Sequence, residues 1–141
     1  MKIVVATVVG LVTIFAATHA QAAGECLKIP GPATLSGTLT IAQVRSRSAG
    51  APRRMESVFF LEVREPVCAE PKADADPDDV TAEAAQGVRR VHVFADTDKV
   101  QIDLRRAAGR PVTLNGELAS AHTQHHRAPL ILAVKQVLPP R

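Results

Sequence analysis

The chain has 141 residues, 46% of them hydrophobic and 22% charged, with a formal net charge of +3. That length excludes two full domains once an N-terminal leader is set aside, and the small net charge is no nucleic-acid signature. With no tryptophan, no tyrosine and only four phenylalanines, the chain also lacks the aromatic platform on which single-stranded nucleic acids and glycans stack.

The N-terminus reads as a sorting signal. Lys2 precedes the apolar run "IVVATVVGLVTIFAAT", and small residues follow in "AQAAG". Ala20 and Ala22 occupy the minus-three and minus-one positions for cleavage after Ala22, so residues 1–22 are expected to be removed and residues 23–141 to form a single domain with no remaining membrane span. A lipid anchor at Cys26 is disfavoured, because Glu25 stands where a lipobox needs a small residue. The destination is the periplasm or the medium. Both settings are oxidising, and Cys26 and Cys68 are the chain's only cysteines, so a single disulfide is expected between them.

Downstream of Cys26, alternation predicts strands at residues 32–44, "PATLSGTLTIAQV", and at residues 56–63, "ESVFFLEV". Between them lies a cationic loop carrying Arg45, Arg47, Arg53 and Arg54 with no acid. Cys68 follows the second strand. Next comes an acidic, proline-broken stretch with Glu70, Asp74, Asp76, Asp78 and Asp79, expected to be a mobile insertion over about residues 70–87. A calcium loop starting at Asp74 is rejected, since Asp79 would fall on the required glycine and Ala85 on the bidentate glutamate.

"VRRVHVFA", residues 88–95, is the third predicted strand. Residues 96–110 begin with an Asp/Thr pair, space Val100, Leu104 and Ala108 helically, and reach a stop at Gly109; a short helix is preferred there, although Val100, Ile102 and Leu104 would also suit a strand. "RPVTLNGELASA" and "LILAVKQV" complete five strands. "TLSGTL" at 34–39 is echoed by "TLNGEL" at 113–118, placing glycines in mid-strand, where small closed barrels bend. Three strands, a short helix and two more strands give the expected class: mainly β, a small OB-like five-stranded barrel with one helix between strands three and four. An open antiparallel sheet with one helix is the alternative.

The early cysteine before "TLSGTL", the second in "EPVCAEP", and the ending "GRPVTLNGELASAHTQHHRAPLILAVKQV" together resemble a family of small secreted bacterial proteins known only as a domain of unknown function, DUF4431. The series Gly116, Leu118, Ala121, Thr123, His125, His126 and Pro129 carries most of the likeness. Arg127 and Ala128 depart from it, standing where a further histidine and a threonine are usual, and Ala119 replaces a bulky apolar residue. The resemblance implies export and a small β-rich domain. It brings no activity with it.

The segment "AHTQHHRAP" falls between the fourth and fifth strands, where an OB fold has one of the two loops that frame its ligand face, the other being the arginine-rich loop. Thr123, His125 and His126 join Arg45, Arg47, Arg53 and Arg54 as candidate ligand-binding residues, for a protein or a small anionic ligand. A second reading makes His122, His125 and His126 the zinc or copper ligands of a metal-binding protein or metal-dependent enzyme, although the donor set is incomplete and no H-E-x-x-H pair is present. A third has Thr123 and a histidine simply bonding the turn's backbone. Enzyme signatures are missing: no G-x-S-x-G elbow and no glycine-rich phosphate loop. The expectation is therefore a monomeric, non-enzymatic binding module without a cofactor.

Overall fold

The computed structural model describes residues 24–46 and 54–139. Residues 1–22, expected to be a leader, and Arg47 and Arg53 of the cationic loop lie outside the described residues. Six strands and one helix run in the order β1 (Leu27–Ile29), β2 (Gly31–Arg45), β3 (Met55–Pro71), β4 (Ala85–Ala95), α1 (Asp98–Ala107), β5 (Pro111–Ser120) and β6 (Leu130–Leu138). β3 pairs with β2, β2 with β5, β5 with β6, β6 with β4 in parallel, and β4 again with β3. The hydrogen-bonded ring therefore closes, as the OB-like order predicts, and the open-sheet alternative falls away.

Closure divides β2 lengthwise. Its first half, up to Thr38, pairs with β5, and its second half, from Gly37, pairs with β3. Gly37 sits at the changeover, where a Cβ would stand 2.3 Å from the carbonyl oxygen of Glu62. Gly116 repeats the situation, with a Cβ position 2.1 Å from the carbonyl oxygen of Ala133, at a register shift next to Asn115. Both glycines are needed for close backbone approach and not for a left-handed backbone.

The interior is aliphatic. Leu39, Leu61, Leu114, Leu118, Leu130 and Leu132 are fully buried, with Ile29, Val91, Val93 and Val134 among them and Phe59 as the core's aromatic member. Each such side chain contributes about 1.5–3 kcal/mol through burial. α1 closes the barrel with Val100, Leu104 and Ala107. Thr97 caps it by accepting the Val100 N–H, and Gly109, at φ +78°, reverses the chain after it. The inward position of the last turn is thus Ala107 and not Ala108, which forms the C-cap with a non-helical backbone.

Three boundaries differ from the sequence expectation. β1 is a sixth strand, only three residues long, added in parallel to the end of β3. β3 runs on to Pro71 through Pro66, which falls in the register shift between Glu62 and Val67, where proline's missing N–H is tolerated. Cys68 consequently lies inside β3. It is bonded to Cys26, 42 residues away, and the bridge staples β1 to the barrel. The acidic connection is shortened to residues 72–84 by the two longer strands.

That connection is tied at its C-terminal end. Ala82 is buried. Ser120, at the end of β5 and 3% exposed, donates its backbone N–H to the Thr81 carbonyl and its hydroxyl to the Val80 carbonyl, while its Oγ accepts the Glu83 N–H. Asp76 and Asp79 each turn back to accept the N–H two residues on.

Two substitutions separate these effects. Gly116→Ala places a methyl group inside the Ala133 carbonyl, and urea denaturation is expected to show a loss of about 3 kcal/mol or failure to fold. Ser120→Ala strands the Glu83 N–H and the Val80 carbonyl, with an expected loss of about 1–3 kcal/mol in the same measurement.

Candidate functional site

The outer face of β3 and β4 carries an apolar patch beside its Glu62–Arg90 ion pair. Phe60 lies opposite His92 in the β3–β4 ladder, with Val58 and Phe94 on the same face. Val58, Phe60 and His92 are 7%, 4% and 3% exposed, although none belongs to the barrel interior. Part of the cover is the connection between β5 and β6, residues 121–129, folded back over β4.

A neck bond from the Ala121 N–H to the Pro129 carbonyl closes this loop at its base. Its tip is a turn in which the His126 N–H donates to the Thr123 carbonyl. The His126 ring then turns inward, its Nδ1 accepting the backbone N–H of His122 at 2.9 Å and of Thr123 at 3.3 Å. A ring nitrogen accepting two N–H groups carries no proton, so His126 is held neutral with its hydrogen on Nε2. His122 uses its Nδ1 in the opposite sense, as an N–H donor to the Ser120 carbonyl at 3.0 Å. Thr123 Oγ1 accepts the His125 N–H. The histidine that organises the turn is thus His126, and His125 takes part through its backbone.

Rings connect the loop tip to the buried face. His122 meets His126 edge-on at 4.6 Å between centroids, His126 meets Phe94 at 5.5 Å, Phe94 meets His92 at 4.1 Å, and His92 meets Phe60 at 5.6 Å. His92 Nδ1 accepts the Arg127 N–H, which fixes it as a second neutral acceptor. Burial, then the proximity of His126 and Arg127, pushes its pKa down to about 4. His126 is displaced in the same direction by burial and by His122 and His125. Asp79 of the acidic connection is held below the usual carboxylate range by bonds from Thr81, with His122 adding to the effect. The acidic connection and the histidine loop are therefore neighbours, joined through Ser120.

Arg127 bridges to the cationic side. Its guanidinium donates to the Arg45 carbonyl at 2.8 Å, while its Nε–H is buried with no acceptor among the described residues. Of the predicted ligand-binding set, Arg45, Thr123, His125 and His126 thus fall around one surface. Arg54 is one register position further along the same ribbon, its carbonyl accepting the Ser46 N–H. His125 borders a cleft of about 260 Å³ with Ser57, Phe94 and Gln101. A groove of about 490 Å³ between the end of α1 and β6 is lined by none of the predicted residues. Among the described residues, no three His, Cys, Asp or Glu side chains are grouped so as to hold a metal ion. No helix among them is long and apolar enough to cross a membrane.

Sequence reasoning overlooked His92 and the role of Arg127. A usable signal was present: in "VRRVHVFA" both the odd positions, Val91 and Val93, and the even ones, His92 and Phe94, are apolar or aromatic, as in a strand covered on both faces.

Residues 90–138 match the family model described as Domain of unknown function (DUF4431). The matched stretch contains His92, α1, β5, the histidine loop and β6, which is the whole ring stack except Phe60. No curated protein matches the chain.

The neutral histidines give stability a defined pH dependence. His92 titrates near 4 when folded and near 6.5 when unfolded, so its neutral form belongs to the fold. Its contribution is complete above about pH 6.5 and is lost as pH falls toward 4, by roughly 3 kcal/mol over that window. Urea denaturation at pH 7.5, 5.5 and 4.5 should show this decline, and His92→Gln, which cannot titrate, should flatten most of it.

Proposed function

We propose that the chain is an exported, non-enzymatic binding module that holds a protein or a small anionic ligand on the surface made by residues 45–54 and 121–129. The observation that carries this reading is the 2.8 Å bond from Arg127 to the Arg45 carbonyl, by which the histidine loop and the cationic hairpin meet end to end. Around that junction, Arg45, Arg54 and Arg127 supply positive charge, and Thr123 and His125 supply exposed polar groups. Guanidinium groups in a fork geometry suit carboxylates and phosphates. Export is supported by the leader-like residues 1–22 together with the Cys26–Cys68 disulfide, which belongs to an oxidising compartment. Binding needs no further copy of the chain, so the working unit is taken as a monomer.

The zinc or copper alternative meets a specific obstacle. His126 would have to give up the two backbone N–H groups on its Nδ1, or change tautomer and lose both, before either ring nitrogen could ligate a metal in the usual way. One equivalent of tightly held zinc or copper on untagged native protein, lost on His126→Ala, would restore that reading.

The binding reading is tested with immobilised mature protein and the periplasmic and secreted fractions of its own source cells. Arg54→Glu is expected to reduce capture of a saturable partner by at least about tenfold, and added salt to weaken it, as for exposed charge pairs. Arg105→Glu, on the exposed face of α1, is expected to leave it unchanged. Equal capture by both variants would refute the reading.

A further inference from the structure

Beyond the barrel, β2 and β3 continue as a two-stranded ribbon with one long open edge. In this antiparallel pair the Ser46 N–H donates to the Arg54 carbonyl, and the register pairs Val44 with Glu56 and Ala42 with Val58. Even-numbered residues of β2 therefore direct their N–H and C=O groups at β3, and odd-numbered residues direct theirs away. At Leu39 those outward groups are taken up by the line of β5: the Leu39 N–H donates to the Arg110 carbonyl at 3.1 Å and its carbonyl accepts the Gly109 N–H at 2.7 Å. There the chain turns off into α1. The outward groups of Ile41 and Gln43, and the N–H of Arg45, have no partner among the described residues. Arg127 holds the Arg45 carbonyl and marks the end of the edge.

The side chains beside this edge have a consistent character. Ile41, Gln43 and Arg45 project from one face, where Met55 stands opposite Arg45. Ile41 is 40% and Met55 59% exposed. Arg45 and Arg127 make its outer end cationic, while Arg54, opposite Ser46, adds a charge on the other face, which it shares with Glu56 opposite Val44. Open strand edges of this kind template an added strand, with main-chain bonds giving affinity and side-chain contacts giving choice.

We propose that residues 41–45 of β2 take an extended acidic segment of a partner protein as an added antiparallel strand, in line with β5. This rests on the binding reading above and specifies its partner: alternate apolar side chains would meet Ile41 and Met55 on one face, carboxylates on the other face would meet Arg54, and Arg45 and Arg127 would add positive charge at the outer end.

Gln43 allows a clean test. Its N–H lies outside the β2–β3 ladder, so Gln43→Pro removes an edge donor without removing a ladder bond, and the preceding Ala42 already has the extended backbone a proline requires. Gln43→Ala controls for the side-chain bond from Gln43 to Ser57. The probe is a fluorescein-labelled peptide of about nine alternating valine and glutamate residues, long enough to cover the edge with overhang at both ends, read by anisotropy against full mature protein. Saturable binding is expected, weakened at least tenfold by Gln43→Pro, unchanged by Gln43→Ala, and abolished when the glutamates are replaced by lysines. Should Gln43→Pro not fold, the same peptide N-methylated at alternate residues, offered to unmutated protein, is expected to lose binding instead. Absence of peptide binding, or binding indifferent to both backbone changes, would overturn the proposal; if such indifferent binding were still lost on Arg54→Glu, the loop reading would stand and only the edge would fail. A wild-type dimer in sedimentation that Gln43→Pro converts to monomer would also overturn it, by giving the edge to a second copy of the chain.

Discussion

Closing five strands into a ring of this small size forces two places where backbone passes directly against backbone, and much else in the molecule follows from them. At Gly37 the β2 strand leaves β5 for β3 against the Glu62 carbonyl, and at Gly116 β5 crosses the Ala133 carbonyl. Neither place has room for a Cβ. Because β2 must serve two neighbours in succession, its far half can have β3 only on one side, and an open edge at residues 41–45 is a direct result of closure. Because β4 must reach β6 in parallel while still pairing with β3, the chain needs a crossover, and α1 fills that need while plugging the barrel with Val100, Leu104 and Ala107.

The histidine loop solves a second problem that the barrel creates. Phe60 and Phe94 on an outer face would be exposed apolar surface, and the loop covers part of it with rings that are themselves weakly polar. Its backbone donors must then be satisfied close to apolar groups. His126 and His92 do this as neutral acceptors, together taking the N–H groups of His122, Thr123 and Arg127. Charging either ring would strand those donors and place a cation beside Arg127, which is why burial and neighbouring charge both drive the pKa of His92 downward. Two of the three histidines in this loop, His122 and His126, thus have their rings placed by hydrogen bonds to the backbone, and His125 keeps its ring exposed.

Much of the barrel was legible because its signals are local. Alternation fixed the five long strands, Thr97 and the Val100–Leu104 spacing fixed the helix, and the twin glycines announced the bends. The cysteine count and the compartment were enough to anticipate the Cys26–Cys68 bridge. What stayed hidden depends on distant partners. β1 is three residues, too short to show a period, and exists because β3 offers it an edge and the disulfide holds it there. β3 looked finished at Val63, where the alternation stops, yet the strand runs on through Pro66 in a register shift to Pro71 at its end. His92 and Ser120 look like ordinary strand residues, and each gains its role only from a segment more than thirty residues away.

Ser120 also shows why the acidic connection and the histidine loop should not be treated as independent. Its hydroxyl and N–H hold Val80, Thr81 and Glu83, while its carbonyl receives the His122 ring, whose neighbour across the loop is His126. The His122 bond thus ties the loop to Ser120, and Ser120 ties it to the acidic connection, where Asp79 feels the His122 ring. Coupling of this sort runs through one buried residue and a few hydrogen bonds, each worth about 1 kcal/mol. The barrel is held separately, by its leucine interior and the disulfide.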